Sequence, residues 1–400
     1  MATVTFGPIG LFNYRLNDSI EFIIDMPDIG DGETIEKRFG YQLLCADGTE
    51  VTKPKNYQPK QAGTFRIRFD REIRRHLKTP IPDPNGGSTQ SGEGLKKEFK
   101  LKYWEIHIDK ENCEDGPQEV GVAETTTFTV VNTVVQTWAN YFPTGTNTPT
   151  APNVLHNKPT CIPICEDGTD YVYICESQFN PGITAGQSLV FTDGTTQNIS
   201  QTPMPDGINA IGPAVSFPNG IPIVAGKTVK GMRVVLRTNI GGIISDIYYS
   251  FKCCKDQAVL YFKESAGGYS GMFFCEILNG GMNVQGTEVC TYTEFLPLGG
   301  TSIQDYRRQN GGNRVINKTG REQVTFRMEI PEESKQWRRW INDFAMSESY
   351  YMLDCDNLGN NYLVKFIANG GIYQSRNSQT NNLDLIVTGK IEQNYYLPSY

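Results

Sequence analysis

Residues 322–354 read EQVTFRMEIPEESKQWRRWINDFAMSESYYMLD, and two periods meet in them. In the first nine, Val324, Phe326, Met328 and Ile330 take alternate positions, the spacing that sends side chains to one face of a strand. From Pro331 onward, Trp337, Trp340, Ile341, Phe344 and Ala345 recur at i, i+3, i+4, i+7 and i+8, the stripe of an amphipathic helix. Pro331 suits a first helical turn, and Glu332 and Glu333 set negative charge at the positive end of the helix dipole. Burying the four large side chains contributes on the order of 8–10 kcal/mol before entropy, at ~2–3 kcal/mol each. The stripe is therefore expected to be a core brace for the C-terminal sheet. Arg338 and Arg339 lie off it, and are expected at solvent or at a neighbouring subunit.

Working outward, strands are expected at AVLYFKES (258–265), GYSGMFFCEIL (268–278), SYYMLD (349–354), YLVKFIA (362–368) and LDLIVTGKI (383–391), with a turn at DNLGNN (356–361). Strand, helix, hairpin and strand in that order predict an α+β module over 257–400 built on an antiparallel sheet. Toward the N-terminus, SIEFIID (19–25), TFRIRF (64–69), EFKLKYWEIHI (98–108) and TTTFTVVNTVV (125–135) read as strands of a β domain over 1–140. Asp70 is placed to cap a short helix carrying Ile73 and Leu77. TPIPDPNGGSTQSGEG (79–94) has no periodicity and is expected to be a mobile loop. Residues 141–159, dominated at first by Pro, Thr, Gly and Asn, are expected to be a linker. Residues 160–256, punctuated by Asp-Gly turns, predict an Ig-like or jelly-roll-like β-sandwich. The fold class expected is mainly β with minor α, as multi-domain β-sandwiches. A chain of 400 residues exceeds what one core usually organises.

The formal charge of −7 argues against a general nucleic-acid binder, and KKEFKLK (96–102) alternates its lysines with Phe99 and Leu101 as the solvated face of a strand does. The first residues lack the basic start and apolar run of a secretory signal, and no apolar stretch is long enough for a membrane helix. Synthesis in a cytoplasm is expected, with most of the ten cysteines free.

Chemistry-bearing motifs are sparse. His76, His107 and His156 have no second ligand at metal-binding spacing, which removes a His-based zinc site or triad. Cys161, Cys165, Cys253 and Cys254 can be imagined as a four-thiolate zinc site, although their spacing departs from the usual knuckle. The loop from Asp354 has Leu358 and Lys365 where a calcium loop needs oxygen ligands. Walker, dinucleotide-binding, nucleophile-elbow and zincin motifs are missing. No enzyme activity, catalytic residue or cofactor is expected.

ESAGGYSGMFFCEIL, the strand–helix phrase at 325–354, YLVKFI and LDLIVTGKIEQ together resemble structural virion proteins of tailed bacteriophages, of the tail-tube and distal-tail group. SIEFIID followed by TFRIRFDREIRRHLK is similar to modules of such tail or fibre-attachment proteins. The likeness covers the last ~140 residues best and rests on the pattern of elements. It implies a homo-oligomeric ring that docks neighbouring virion proteins such as tube, hub or fibres, with its place in the virion tail. The alternative expectation is an adhesin whose 160–256 sandwich binds a receptor glycan.

Overall fold

A computed structural model describes residues 2–7, 13–15, 20–31, 34–112, 116–133, 154–176, 182–239, 241–252, 258–291, 312–330, 334–355, 361–376, 383–391 and 395–396. The fold is mainly β with minor α, in several mostly antiparallel sheets. It divides into two compact units: Met1–Lys252 with Phe262–Gly271 and Ser334–Ser347, and Cys253–Tyr261 with Met272–Glu333 and Glu348–Tyr400.

The first unit opens with β1 (Thr3–Phe6), β2 (Asn13–Arg15), β3 (Glu21–Met26), β4 (Ile35–Cys45), β5 (Lys55–Tyr57), β6 (Gly63–Arg68), α1 (Asp70–Arg74), β7 (Thr89–Gln90), β8 (Lys96–Asp109), β9 (Gln118–Glu124) and β10 (Phe128–Val131). They form a three-stranded sheet, β1-β3-β6, and a larger one, β2-β10-β8-β4-β5, with β9 added to β8. Alternation decides which side chains go inside: Phe22 and Ile24 of β3, and Phe99 and Leu101 of β8, are fully buried. Phe22 makes edge contacts with Phe69 and Phe128, at 5.9 and 5.7 Å between ring centres, so the core is aromatic. Lys100, on the outer face of β8, pairs with Glu124 at 2.8 Å, as a solvated strand face should.

Three expectations need correction. Asp70 does not cap α1, whose N-cap is Phe69 with no side-chain bond; its Oδ1 instead accepts from the Ile20 backbone N–H at 3.0 Å. The aperiodic stretch 79–94 is tied down: β7 pairs with a strand of the middle region, and the hydroxyl of Tyr173 donates to Pro80 O at 2.8 Å. Its anchors come from residues far along the chain, so nothing local announces them. Of the expected linker, residues 141–153 lie outside the described residues, while 154–159 are packed. Val154 and Leu155 are buried, and the Leu155 N–H donates to Tyr173 O.

The middle region adds β11 (Cys161–Ile164), β12 (Asp170–Ile174), β13 (Ile183–Phe191), β14 (Thr196–Met204), β15 (Gly207–Ile211), α2 (Pro213–Ser216), β16 (Val229–Thr238) and β17 (Ile243–Phe251). One sheet runs β11-β17-β16-β13-β14, and the other runs β12-β15-β7, recruiting the N-terminal β7. On β13 strict alternation buries Ile183, Ala185, Gln187, Leu189 and Phe191, leaving Thr184, Gly186, Ser188 and Val190 on the outer face.

The C-terminal elements are β18 (Ala258–Lys263), β19 (Tyr269–Phe274), β20 (Glu276–Thr291), β21 (Gly312–Glu329), α3 (Lys335–Ala345), β22 (Tyr350–Cys355), β23 (Asn361–Arg376), β24 (Leu383–Ile391) and β25 (Tyr395–Tyr396). Their sheet runs β19-β18-β22-β23-β24-β21-β20, with β25 on β21. The second unit has its own aromatic core, in which Phe326 meets Phe274 and Phe366 at 5.6 and 5.7 Å. The expected single strand over 268–278 breaks at Cys275, which is disulfide-bonded.

Candidate assembly and ligand surfaces

The helix α3 begins later than the sequence pattern predicts. Ser334 is the N-cap, its hydroxyl accepting from the Trp337 N–H at 3.3 Å, and Pro331, Glu332 and Glu333 lie outside the described residues. Trp337, Trp340, Ile341 and Phe344 are buried as expected, whereas Ala345 is exposed. The stripe closes on Phe262 of β18, whose ring lies 5.6 Å from Trp340 and 5.0 Å from Phe344. Trp337 Nε1 donates to Cys161 O at 3.1 Å.

Beneath the helix lies a buried polar cluster that the stripe conceals. Asp343, on the buried face, accepts from Asn157 Nδ2 and Ser265 Oγ, both at 2.9 Å. Glu264 accepts from Trp340 Nε1 at 2.9 Å and from the Asn157 backbone N–H. Its burial pushes the carboxyl up to about 7, against the opposing pull of the Lys158 charge. Lys158 and Asp170 are both completely buried and pair at 2.6 and 2.7 Å. Asp170 also accepts from Tyr249 Oη at 2.9 Å and from the N–H groups of Tyr171 and Gly271 at 2.8 and 3.0 Å. All of these bonds bring donors to the Asp170 carboxyl, so the cluster joins residues 157–158, β12, β17 and the β18–β19 turn as structural glue. His156 beside it is half-buried with its Nε2 shut off from solvent, and burial lowers its pKa to about 3, so it stays neutral.

The remaining sequence candidates are scattered. Arg338 and Arg339 are exposed on α3. Cys161 is half-buried and Cys165 buried, Cys253 and Cys254 lie outside the described residues, and among the described residues no three metal-ligating side chains gather. His107 Nε2 sits 2.9 Å from Glu105 Oε2 in β8, and burial lowers the pKa of the partly buried His76. Neither stands with a nucleophile.

The feature that sequence reasoning missed is a long hairpin. β20 pairs with β21 from Glu276↔Arg327 to Thr291↔Gly312. β21 pairs with β24 only from Gln323 to Glu329, and with β25 only at Thr319 and Gly320. At ~3.4 Å per residue, the ladder therefore continues roughly 35 Å past its last pairing with β24. Over most of that length each strand pairs, among the described residues, only with the other, and a two-stranded ribbon alone is marginally stable in water. β20 is also a terminal strand of its sheet. Its sequence, EILNGGMNVQGTEVCT, contains no lysine and no proline, the residues that usually guard an exposed edge from pairing.

A second surface lies on the outer face of the β13–β14–β16 sheet. A bulge between Gln187 and Ser188 sets Gln187 opposite Ser200 and Ser188 opposite Asn198, leaving Ile199 as the extra residue. Bulges bend the strand that carries them, and here the sheet becomes concave over a volume of about 670 Å³. Gly186 and Val235, directly paired, form the floor, and Ser188, Asn198, Gln201, Arg233 and Arg237 surround it. Arg233 Nε donates to Asp246 Oδ1 at 2.8 Å, and this guanidinium holds the Asp246 carboxyl below the usual carboxylate range. Arg237 is exposed and has no ion-pair partner among the described residues. Comparison with known protein families and with curated proteins finds no match for the chain.

Proposed function

We propose that the chain is a structural component of a phage virion, a tail or baseplate-proximal ring or adaptor protein that acts by oligomerising and docking partner virion proteins. The β20–β21 arm carries this reading. It is a ribbon too long for its own sheet to support, with an undefended edge, and pairing with the arm of a second copy satisfies its open backbone groups. Repeated around an axis, such edge pairing is heterologous and closes into a ring, the symmetry expected of a tail component. Arg338 and Arg339 are assigned on this reading to contacts with the neighbouring subunit.

The test is light scattering and negative-stain imaging of the purified full chain beside a variant in which residues 281–323 are replaced by Asn-Gly, joining Gly280 to Val324 across a ladder pair. Rings are expected from the full chain, and folded monomers from the shortened one. Equal assembly of the two, or monomers of the full chain alone and with other virion proteins, refutes the reading. A second reading, receptor binding by the middle region, is favoured by the concave face of β13–β14–β16.

A further inference from the structure

We infer that the concave face over Gly186 is a binding site for a carboxylate-bearing saccharide, a uronate or sialate unit, with Arg237 as the anchor for its carboxylate. The inference goes beyond the assembly reading and does not depend on it.

Charge comes first. Arg233 and Asp246 neutralise each other through a two-pronged contact, so the positive charge left at the groove is that of Arg237. A guanidinium presents paired N–H donors that match a carboxylate, which makes an exposed one a ready means of holding such a group. The floor comes next. Val235 is only 8% exposed although it lies on the outer face, and Gly186 beside it has no side chain. Glycine weakens a strand interior, and is found there where a ligand or another backbone approaches closely. No other backbone explains this one. A Cβ on Gly186 would meet nothing nearer than Val235 O at 3.8 Å, and its φ is not in the left-handed range. The empty space is therefore not required by packing or by dihedral strain. A small apolar floor suits the C–H face of a sugar ring. Around it, the hydroxyl of Ser188 and the amides of Asn198 and Gln201 supply donors and acceptors of the kind sugar hydroxyls use. The bulge holds Ser188 and Asn198 opposite each other at the rim. The volume fits a site for one or two sugar rings.

The same glycine supplies a clean test. Gly186→Val fills the floor with a residue that favours strands and whose Cβ meets nothing nearer than 3.8 Å, while Arg237→Ala removes the charged side chain. The full-length chain is titrated by calorimetry with an oligogalacturonate, with sialyllactose, and with the carboxyl-reduced form of each. Binding of at least one acidic saccharide is expected, weakened roughly tenfold or more by carboxyl reduction, by Arg237→Ala and by Gly186→Val, as losing charge-assisted hydrogen bonds implies. Thermal unfolding at the wild-type midpoint establishes that both variants fold. The chain lacking residues 281–323 should bind as the full chain does, so failure of assembly and failure of this site are told apart. Absence of binding to both acids, equal binding of the reduced sugars, undiminished binding by folded Gly186→Val, or equal competition by an aspartyl peptide overturns the assignment.

Discussion

Changing Lys158 to Met tests whether the buried cluster holds the first unit together. In the wild type the Asp170 carboxylate receives Lys158 Nζ on both oxygens, Tyr249 Oη on Oδ2, and the Tyr171 and Gly271 N–H groups on Oδ1. Lys158→Met leaves three neutral donors facing a fully buried anion whose counter-charge has gone. Breaking one side of a buried pair costs about 3–5 kcal/mol. Asp170→Asn, which strands the Lys158 ammonium instead, should cost a similar amount. The double variant should recover much of the loss. An asparagine with its carbonyl in the Oδ1 position keeps the two backbone donors, its amide can donate to Tyr249 Oη, and methionine refills the lysine stem's volume. A coupling of about 2 kcal/mol or more between the two changes is expected, as for residues in one network. Urea unfolding followed by tryptophan fluorescence is the assay. Trp104, Trp337 and Trp340, the tryptophans among the described residues, all belong to the first unit, so the signal follows that unit. An unchanged midpoint in Lys158→Met, or strictly additive losses in the double variant, refutes the reasoning.

The Glu264 carboxyl, raised by burial to about 7, gives the stability of the same unit a pH slope. Below pH ~4.5 the group is protonated folded or unfolded. Between ~4.5 and 7 only the unfolded chain ionises, so stability falls as pH rises, by about 3 kcal/mol across the window at ~1.36 kcal/mol per unit. Glu264→Gln should flatten that slope in urea titrations from pH 4 to 8, even if losing the Asn157 contact lowers stability at every pH. Ser334→Ala removes the cap of α3 and should cost about 1 kcal/mol in the same assay. Gly267 adopts a φ of +108°, and an added Cβ would lie 2.0 Å from Asn132 O. Gly267→Ala should therefore lower the thermal midpoint by several degrees, more than most exposed-turn substitutions.

How much of this was legible in the sequence depends on the distance between partners. Alternation placed Phe99 and Leu101 inside β8, and Val324, Phe326 and Met328 inside β21, because adjacent residues carry that signal. The helix stripe was legible for the same reason, while its cap was not: Ser334, three residues before Trp337, provides it, and the expected start at Pro331 lies outside the described residues. The buried cluster could not be found this way. Asn157 meets Asp343, and Lys158 meets Asp170 with help from Gly271, so no window contains the set. A lysine and an aspartate twelve apart look like two surface residues. His156 was likewise read for metal spacing, when burial was the property that mattered.

The long hairpin was missed for a different physical reason, and that reason bears on function. Residues 276–291 and 312–321 are rich in glycine and polar side chains, so β-propensity is low just where the ladder is longest. Propensity describes how well a residue fits a half-buried pleated surface within its own fold. A ribbon whose buried surface is completed by another chain need not announce itself within a single sequence. Its glycines lower single-chain stability while permitting close backbone approach between neighbours. Weak local encoding and a long, undefended ladder are both what the proposed pairing between copies would require. It follows that replacing the glycines at 280, 281 and 286 by threonine should raise the strand content of the isolated chain yet impair ring formation. Circular dichroism and light scattering on the same sample measure both effects, and improved assembly would refute this account.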